Sequence, residues 1–466
     1  MKLAGKHVLI LGLGESGFAA ACWCARRGAQ VRVVDSRAEP PYLGELKRRV
    51  ARADFFSTPL NEGFDKILLA GVDLLVLSPG LSGGLMAVIH ARAAGIPVIG
   101  EIELFSWGVQ ELSPSVPVLA ITGTNGKTTT TALTGHLVAA AGKRVGVAGN
   151  ISPAALTALM DAEYAAALPE VWVLELSSFQ LETTATLNPL AATVLNISDD
   201  HLDRYIDLDD YSRTKARVFC GEGVQVLNRD DARVKSMAIA GRQIVSFGFD
   251  APGDTHDFGL RDNRGEPWLV QGDRFLLPVS ELPLSGLHNA ANAMAALALC
   301  GTLGFSVSAL LPALRAFRGL PHRVEKVAEI GGVTWYDDSK GTNVGATVAA
   351  LNGLGGLGDM GGKVVVILGG DGKGQDFSPL ASAVARHARA VVLIGRDGPA
   401  IGEVLAATGV CLETATDMSD AVNRLARHAQ AGDAALLSPA CASYDMFRNY
   451  EHRAEAFIAA VRSLPC

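Results

Sequence analysis

At 466 residues, 49% hydrophobic and 19% charged with 51 glycines, the chain has the composition of a glycine-turn-rich α/β protein and not of a disordered one. At roughly 150 residues per domain, its length suggests about three domains. The net charge of −7 comes with no Lys/Arg tract and argues against nucleic acid or a membrane surface as partner; no apolar stretch is long enough to span a bilayer, and seven cysteines without a Cys-x-x-Cys pair suit reduced thiols in a cytoplasmic protein.

Lys2 and Lys6 before an apolar run superficially resemble a signal peptide, but His7-Val8-Leu9-Ile10-Leu11 leads straight into Gly12-Leu13-Gly14-Glu15-Ser16-Gly17, which predicts a first strand. An alanine-rich helix through Arg27 follows. A second strand over residues 31–34 ends on Asp35, 18 residues beyond Gly17. Alone this is a dinucleotide-binding fingerprint, with an acid placed for a ribose hydroxyl, and it points to NAD. Ser36-Arg37 behind the acid and a second phosphate-binding loop downstream argue against that reading. Such a fold provides a nucleotide-sized crevice at the strand ends without choosing the nucleotide, and a purely structural domain with tight glycine turns is the alternative. Further strands are expected over 72–77 and 96–100, and Glu101-Ile102-Glu103-Leu104-Phe105 starts a connection.

The central segment opens on Val118-Leu119-Ala120-Ile121-Thr122-Gly123-Thr124-Asn125-Gly126-Lys127-Thr128-Thr129: a strand, a glycine-bracketed loop and a helix start. This arrangement holds a polyphosphate on main-chain N–H groups and the positive end of a helix. Lys127 would reach the terminal phosphates and the Thr128 hydroxyl would sit on Mg²⁺. The loop is shorter than G-x-x-x-x-G-K-[ST], which needs glycine where Ile121 stands. Strands ending on Asn150 and on Glu175 should share the same sheet edge, placing Glu175 beside the loop, where a hard cation wants carboxylate oxygen. The stretch Asn196-Ile197-Ser198-Asp199-Asp200-His201-Leu202-Asp203 reads on composition as a solvated acidic loop, and His201 alone would not be a Mg²⁺ ligand. Arg213, Lys215 and Arg217, on a helix over 210–219, read on spacing as a solvated basic face. Residues 221–284 read as strands and turns without evident chemistry. Asn289 and Asn292 share a helix face at i and i+3 and either read a base edge or cap the helix.

From Pro321-His322-Arg323 onward a third α/β unit is expected. Four of its strands end in polar, glycine-rich loops: Asp337-Asp338-Ser339-Lys340, Gly369-Gly370-Asp371-Gly372-Lys373, Gly395-Arg396-Asp397 and Ser438-Pro439-Ala440-Cys441-Ala442-Ser443. Together they make a doubly wound sheet whose loops offer lysines and hydroxyls to a carboxylate or phosphate.

In this order, the phosphate loop, Glu175-Leu176-Ser177-Ser178, the 196–203 stretch, Lys215, His288-Asn289 and Pro321-His322-Arg323 closely resemble the Mur ligases, ATP-dependent amide-bond-forming enzymes of peptidoglycan synthesis. The stretches Asp338-Ser339-Lys340-Gly341-Thr342-Asn343, Gly369–Lys373 and Ser438–Ser443 resemble the family's D-glutamate-adding branch. The likeness runs end to end. It implies three domains: a Rossmann-like uridine-nucleotide domain over 1–100, a P-loop ATPase-like domain over 101–320 and a mobile, Rossmann-like, doubly wound amino-acid domain over 321–466. It turns the first fingerprint from NAD to UDP, with Asp35, Ser36 and Arg37 near the uracil and Ser16 and Asn150 along the UDP-sugar. It implies ATP held by Gly123, Thr124, Asn125, Gly126, Lys127, Thr128 and Thr129, with Asn289 and Asn292 facing adenine and Arg323, Asp338 and Lys340 facing ribose and phosphates.

By the same resemblance, Thr128 and Glu175 bind one Mg²⁺, and His201 and Lys215, the latter carrying a CO₂-derived carbamate, serve a second. Lys127, Glu175, His201 and Lys215 are then the catalytic set. Thr342, Lys373 and Ser443 hold glutamate; Tyr450 stands where phenylalanine is expected. The implied substrates are UDP-N-acetylmuramoyl-L-alanine, D-glutamate and ATP, and a cytoplasmic monomer without nucleic-acid or membrane partners is expected. Rival readings are the same ligation with another amino acid such as L-glutamate, an NAD-dependent oxidoreductase, and a nucleotide-gated binding protein without chemistry.

Overall fold

The structure is a computed structural model describing residues 2–201, 204–284, 286–355 and 362–464. Leu202 and Asp203 of the acidic stretch lie outside the described residues, as do Met1, Pro465 and Cys466 at the outer bounds of the expected domains. Among the described residues, three sheets follow one another along the chain.

The first is all parallel. Its strands His7–Leu11, Gln30–Asp35, Asp54–Ser57, Leu74–Leu77 and Val98–Ile99 lie in the spatial order third, second, first, fourth, fifth. The central strand, flanked by Val31–Val34 and Leu74–Leu77 in register, is buried on both faces, which is why it reads as an unbroken apolar run. Gly17 lets the following helix close on this sheet. A Cβ there would run into the Gly12 carbonyl and come within 2.8 Å of Ser78 Oγ.

The second sheet has nine strands. Val118–Thr122 lies between Val171–Glu175 and Ala191–Val194, and Val145–Gly149 lies beyond Val171–Glu175. All four are parallel, so the loops after Thr122, Gly149, Glu175 and Val194 open at one edge. Beyond them the sheet continues through Val224–Asn228 and Ile244–Phe247 and finishes in an antiparallel meander over Phe258–Asn263, Glu266–Gln271 and Arg274–Pro278.

The third sheet has six strands, two more than the four expected. Val333–Asp337, Ala434–Leu437, Val364–Gly369 and Ala388–Ile394 are the expected parallel ones. Glu325–Ile330 adds antiparallel at one edge and Cys411–Thr414 parallel at the other. Both edge strands carry charged or exposed residues, so neither shows the continuous apolar run that marked the inner four.

The apolar cores show how these layers are joined. One continuous core takes Ile10 and Val33 from the first sheet, Trp23 from its helix, Ile102 and Phe105 from helix Glu101–Leu112, Leu156 from helix Ala155–Tyr164 and Trp172 from the second sheet. Phe105 meets Trp172 edge-on at 5.1 Å between centroids. The connection expected after residue 100 is therefore a buried helix that cements the first sheet to the second. Glu103 on that helix accepts from Ala185 N, Thr186 N, Thr186 Oγ1 and Trp107 Nε1 at 2.6–3.0 Å. The third sheet, by contrast, keeps its apolar cores to itself. No described helix is long and apolar enough to cross a membrane.

Candidate active site

The phosphate loop leaves strand Val118–Thr122 and enters helix Lys127–Ala140. Gly126 makes the turn in the left-handed region, at φ 79°, where a Cβ would also strike Asn292 Oδ1. Asn196 clamps the loop from the neighbouring strand end: its Oδ1 accepts from Asn125 N at 2.8 Å and its Nδ2 donates to Asn125 O at 3.1 Å. Thr124 N adds a bond to Asn196 O at 2.9 Å. Lys127 folds back over the loop and donates to Gly123 O and Thr124 O at 2.9 and 2.7 Å. Burial holds its amine below the ordinary lysine value, against the raising effect of Glu175 and Asp200.

Glu175 stands at the carboxyl end of its strand, 1% exposed. Its Oε1 accepts from Asn150 Nδ2 at 2.6 Å, while its buried Oε2 has no hydrogen-bond partner among the described residues. A buried carboxylate oxygen left over beside a phosphate loop and the Thr128 hydroxyl is the oxygen donor set that Mg²⁺ prefers, so these residues fit that ion. Lys215 corrects the expectation of a solvated basic face. Arg213 on helix Leu208–Ala216 and Arg217 just beyond it are exposed as expected, but Lys215 on that helix is 1% exposed and donates from Nζ to Gly123 O at 2.9 Å, under the loop. Burial first, then the Lys127 charge, lowers its basicity well below that of an ordinary lysine, which favours a neutral, nucleophilic amine. His201 adopts φ 56° and lies with Nε2 3.6 Å from Asp200 Oδ2 and its ring 4.6 Å from that of Phe179. Burial lowers its pKa; Asp200 opposes this, and Lys373, Lys127 and Lys215 add to it.

A cavity of about 590 Å³ opens over the loop and is closed from the far side by the third sheet. Thr124 to Thr129, Asn150, Glu175, Asp200 and His201 form its floor, Asn289 and Asn292 one wall, and Arg323, Asp338, Lys340, Thr342 and Asn343 its roof. Asn292 is tied to Thr130 Oγ1 and Asn289 Oδ1 at 3.2 and 3.1 Å. Arg323 Nη2 reaches across to Thr128 Oγ1 at 2.6 Å and Asn343 Nδ2 to Asn125 Oδ1 at 3.0 Å. Burial pushes Asp338 up to about 7, against a 2.6 Å bond from Ser438 Oγ and the Arg323 charge. Burial and Arg323 bring Lys340 down to about 8. Its Nζ lies 3.8 Å over the Tyr450 ring, a cation–π contact that phenylalanine would also make.

Of the remaining expected residues, Asp35, Ser36, Arg37, Ser16, Lys373 and Ser443 lie outside this cavity lining. Asp35 is buried at the end of its strand and accepts from Leu13 N at 2.7 Å and from Arg37 N, Nε and Nη2 at 2.8–2.9 Å. Ser36 and Arg37 are exposed and Ser16 half-buried on the same sheet edge. Asn150, expected along the UDP-sugar, bonds Glu175 and lines the cavity. Lys373 (φ 51°) is exposed and Ser443 buried, on loops of the third sheet. Sequence reasoning missed Asn196, Asp200 and Asn343, though all three were in quoted stretches. It also missed the apolar wall of Phe247, Phe249, Leu284 and Leu320, which falls partly in a region read as without chemistry.

Three family models cover this architecture in order: the Mur ligase MurD-like N-terminal domain over residues 6–100, the Mur ligase middle domain over 121–300 and the Mur ligase glutamate ligase domain over 322–441. The chain is 59% identical to the UDP-N-acetylmuramoylalanine–D-glutamate ligase of Aromatoleum aromaticum over 99% of this chain and 98% of that one. It is 55% identical to the protein of the same name from Dechloromonas aromatica over the whole of both. Among solved structures, MurC of Thermotoga maritima superposes with TM-score 0.60 at 19% identity, over 98% of this chain and 99% of that one, which speaks for the fold. With three consecutive domain models and full-length relatives above half identity, the chain belongs to the Mur ligase family.

Proposed function

We propose that the protein is an ATP-dependent ligase joining D-glutamate to UDP-N-acetylmuramoyl-L-alanine, with release of ADP and phosphate, in cytoplasmic peptidoglycan precursor synthesis. The observation that carries this reading is the cavity in which Lys127 and Glu175 of the second sheet face Arg323, Asp338 and Lys340 of the third. A carboxylate is a poor electrophile because its leaving group is poor. Phosphorylation by ATP makes an acyl phosphate, which the amine of glutamate then attacks, expelling phosphate. The first-turn N–H groups of helix Lys127–Ala140 and the Lys127 amine hold the terminal phosphates, and Arg323 and Lys340 approach them from the opposite side. Asn289 and Asn292, with the Phe247 and Phe249 wall, suit a purine.

Thr128 and Glu175 would hold Mg²⁺, and His201 with a carbamate formed on the neutral Lys215 amine would hold a second; such ions screen the repulsion between γ-phosphate and carboxylate. Asp35, Ser36, Arg37 and Ser16 line the first sheet's carboxyl edge for the UDP portion, and Thr342, Lys373 and Ser443 stand on loops suited to glutamate. We divide the chain functionally at about residues 100 and 320, and take it to work as a monomer whose third unit moves.

The test is phosphate release from ATP with UDP-N-acetylmuramoyl-L-alanine and, in parallel, D-glutamate, L-glutamate, L-lysine or no amino acid. Release with D-glutamate alone is expected. Release with another acceptor would keep the mechanism and refute the assignment of the loops after Asp338 and Gly369.

A further inference from the structure

A second cluster of ligating side chains stands away from the cavity, at the opposite end of the third sheet. Cys411 and Glu413 alternate on the edge strand Cys411–Thr414 and so share one face. His428 is the last residue of helix Met418–His428, which packs Met418, Val422 and Leu425 on the sheet. Cys411 pairs with Ala390, near the start of Ala388–Ile394, whereas the cavity loops leave from the strands' carboxyl ends.

His428 Nε2 lies 2.7 Å from Glu413 Oε1 and 4.0 Å from Cys411 Sγ, and the three ligand atoms all fall within 4.8 Å of one another. One ring nitrogen carries at most one proton, so a thiol and a carboxylate converging on it exceed what a single hydrogen bond uses. Tetrahedral bonds of about 2.0–2.3 Å to sulfur, nitrogen and oxygen set ligand atoms about 3.4–3.6 Å apart, and both measured separations lie within about 1 Å of that range. Arg424 Nη1 holds Glu413 Oε2 at 3.1 Å, which leaves Oε1 directed at His428, and Asp420 accepts from Arg424 Nε at 2.8 Å. The helix carboxyl end at His428 adds partial negative charge. Cys411 is exposed, and the side chains of His428 and Glu413 are 27% and 30% exposed, so an ion can enter.

We propose that Cys411, Glu413 and His428 bind a zinc-class divalent ion with a fourth position open to water, pinning the exposed edge strand to its helix. Binding releases the thiol proton and any proton held between His428 and Glu413.

The full chain, stripped with a chelator, is titrated with Co²⁺ as a spectroscopic probe and then with Zn²⁺. The expected result is a thiolate-to-cobalt charge-transfer band at one equivalent, erased by Zn²⁺, with a raised melting temperature in the zinc form. Cys411→Ser should abolish the band, His428→Ala and Glu413→Gln should each weaken Co²⁺ binding by about tenfold or more, and Cys220→Ser, the control at another thiol, should leave it intact. ATP-dependent phosphate release should persist in all four variants, showing that they fold. Absence of a band in the wild type, its survival in Cys411→Ser, or unchanged affinity in both His428→Ala and Glu413→Gln would each overturn the proposal.

Discussion

Glu101 offers the most quantitative test of how the first two sheets are joined. It opens the helix that cements them, is 2% exposed, and accepts from Leu156 N through Oε1 at 2.6 Å while its buried Oε2 has no hydrogen-bond partner among the described residues. Burial, against the Leu156 bond and with a smaller push from Glu15, raises its pKa from 4.5 to about 7. The folded state therefore holds a proton that the unfolded chain releases near pH 4.5. The stability this group contributes is fully present below that pH and is lost as pH rises through about 7. At 1.36 kcal/mol per pKa unit, the charged form costs about 3 kcal/mol at pH 8. Glu101→Gln keeps the acceptor for Leu156 and removes the titration. Thermal unfolding followed by the fluorescence of Trp23 and Trp172, both in the shared core, should show the variant gaining on the wild type by about 2–3 kcal/mol between pH 5 and pH 8. For a unit of about 320 residues that is a melting-temperature gap widening by roughly 3–5 °C. Parallel pH curves would refute the assignment of a buried, protonated carboxyl at this junction.

Other predictions concern the site. Lys127→Ala should lower the rate of phosphate release on the order of 10² or more, as expected on losing one preorganised charge-stabilising group, and near-normal turnover would remove Lys127 from the phosphate site. Arg323→Ala breaks the bond from the third sheet to Thr128. Small-angle scattering should show compaction with ATP and UDP-substrate in the wild type and less in this variant; equal curves would count against closure through Arg323. Incubation with ¹³C-bicarbonate should give a carbamate resonance that Lys215→Arg abolishes, and a resonance surviving the substitution would place the modification elsewhere.

The phosphate loop was legible because its chemistry is written into backbone: Gly126 must turn at positive φ, and a lysine must follow at the helix start. Glu175 was legible because parallel strands end at one edge, so a strand's last residue can be placed without side-chain detail. Lys215 was not. Its neighbours Arg213 and Arg217 are exposed, and its burial arises only because the helix packs beneath Gly123, a contact 92 positions away in sequence. The UDP reading of the first sheet, the carbamate and the glutamate loops came from family resemblance, since Asp35 bonded by Leu13 and Arg37 is equally the chemistry of a structural strand end. The edge strands Glu325–Ile330 and Cys411–Thr414 escaped notice because half-exposed strands lose the apolar run that identifies inner ones. Phe247 escaped because an apolar side chain on a strand signals core until the fold shows it facing a cavity, and Phe249 because it stands in the bend just beyond that strand.

The segregation of apolar cores bears on our proposal that the third unit moves. Separating the first two sheets would expose Trp23, Phe105 and Trp172 together, at about 25 cal/mol per Å² of apolar surface. The third sheet is joined to the rest at this cavity by polar contacts, Arg323 to Thr128 and Asn343 to Asn125, which water can replace at small net cost. Backbone strain also sits in the linker between them. His322 and Val324 adopt φ 63° and 49°, conformations that cost of order 1–3 kcal/mol each for residues with a Cβ. They are held there by the 2.7 Å contact of His322 Nδ1 with buried Asp337, by Glu325 accepting from His322 N at 2.8 Å, and by the Val324 N–H bond to Asp338. Because the cross-cavity contacts are polar, we propose that the docked arrangement depends on what fills the cavity, a dependence that a ligase admitting three substrates and releasing three products needs.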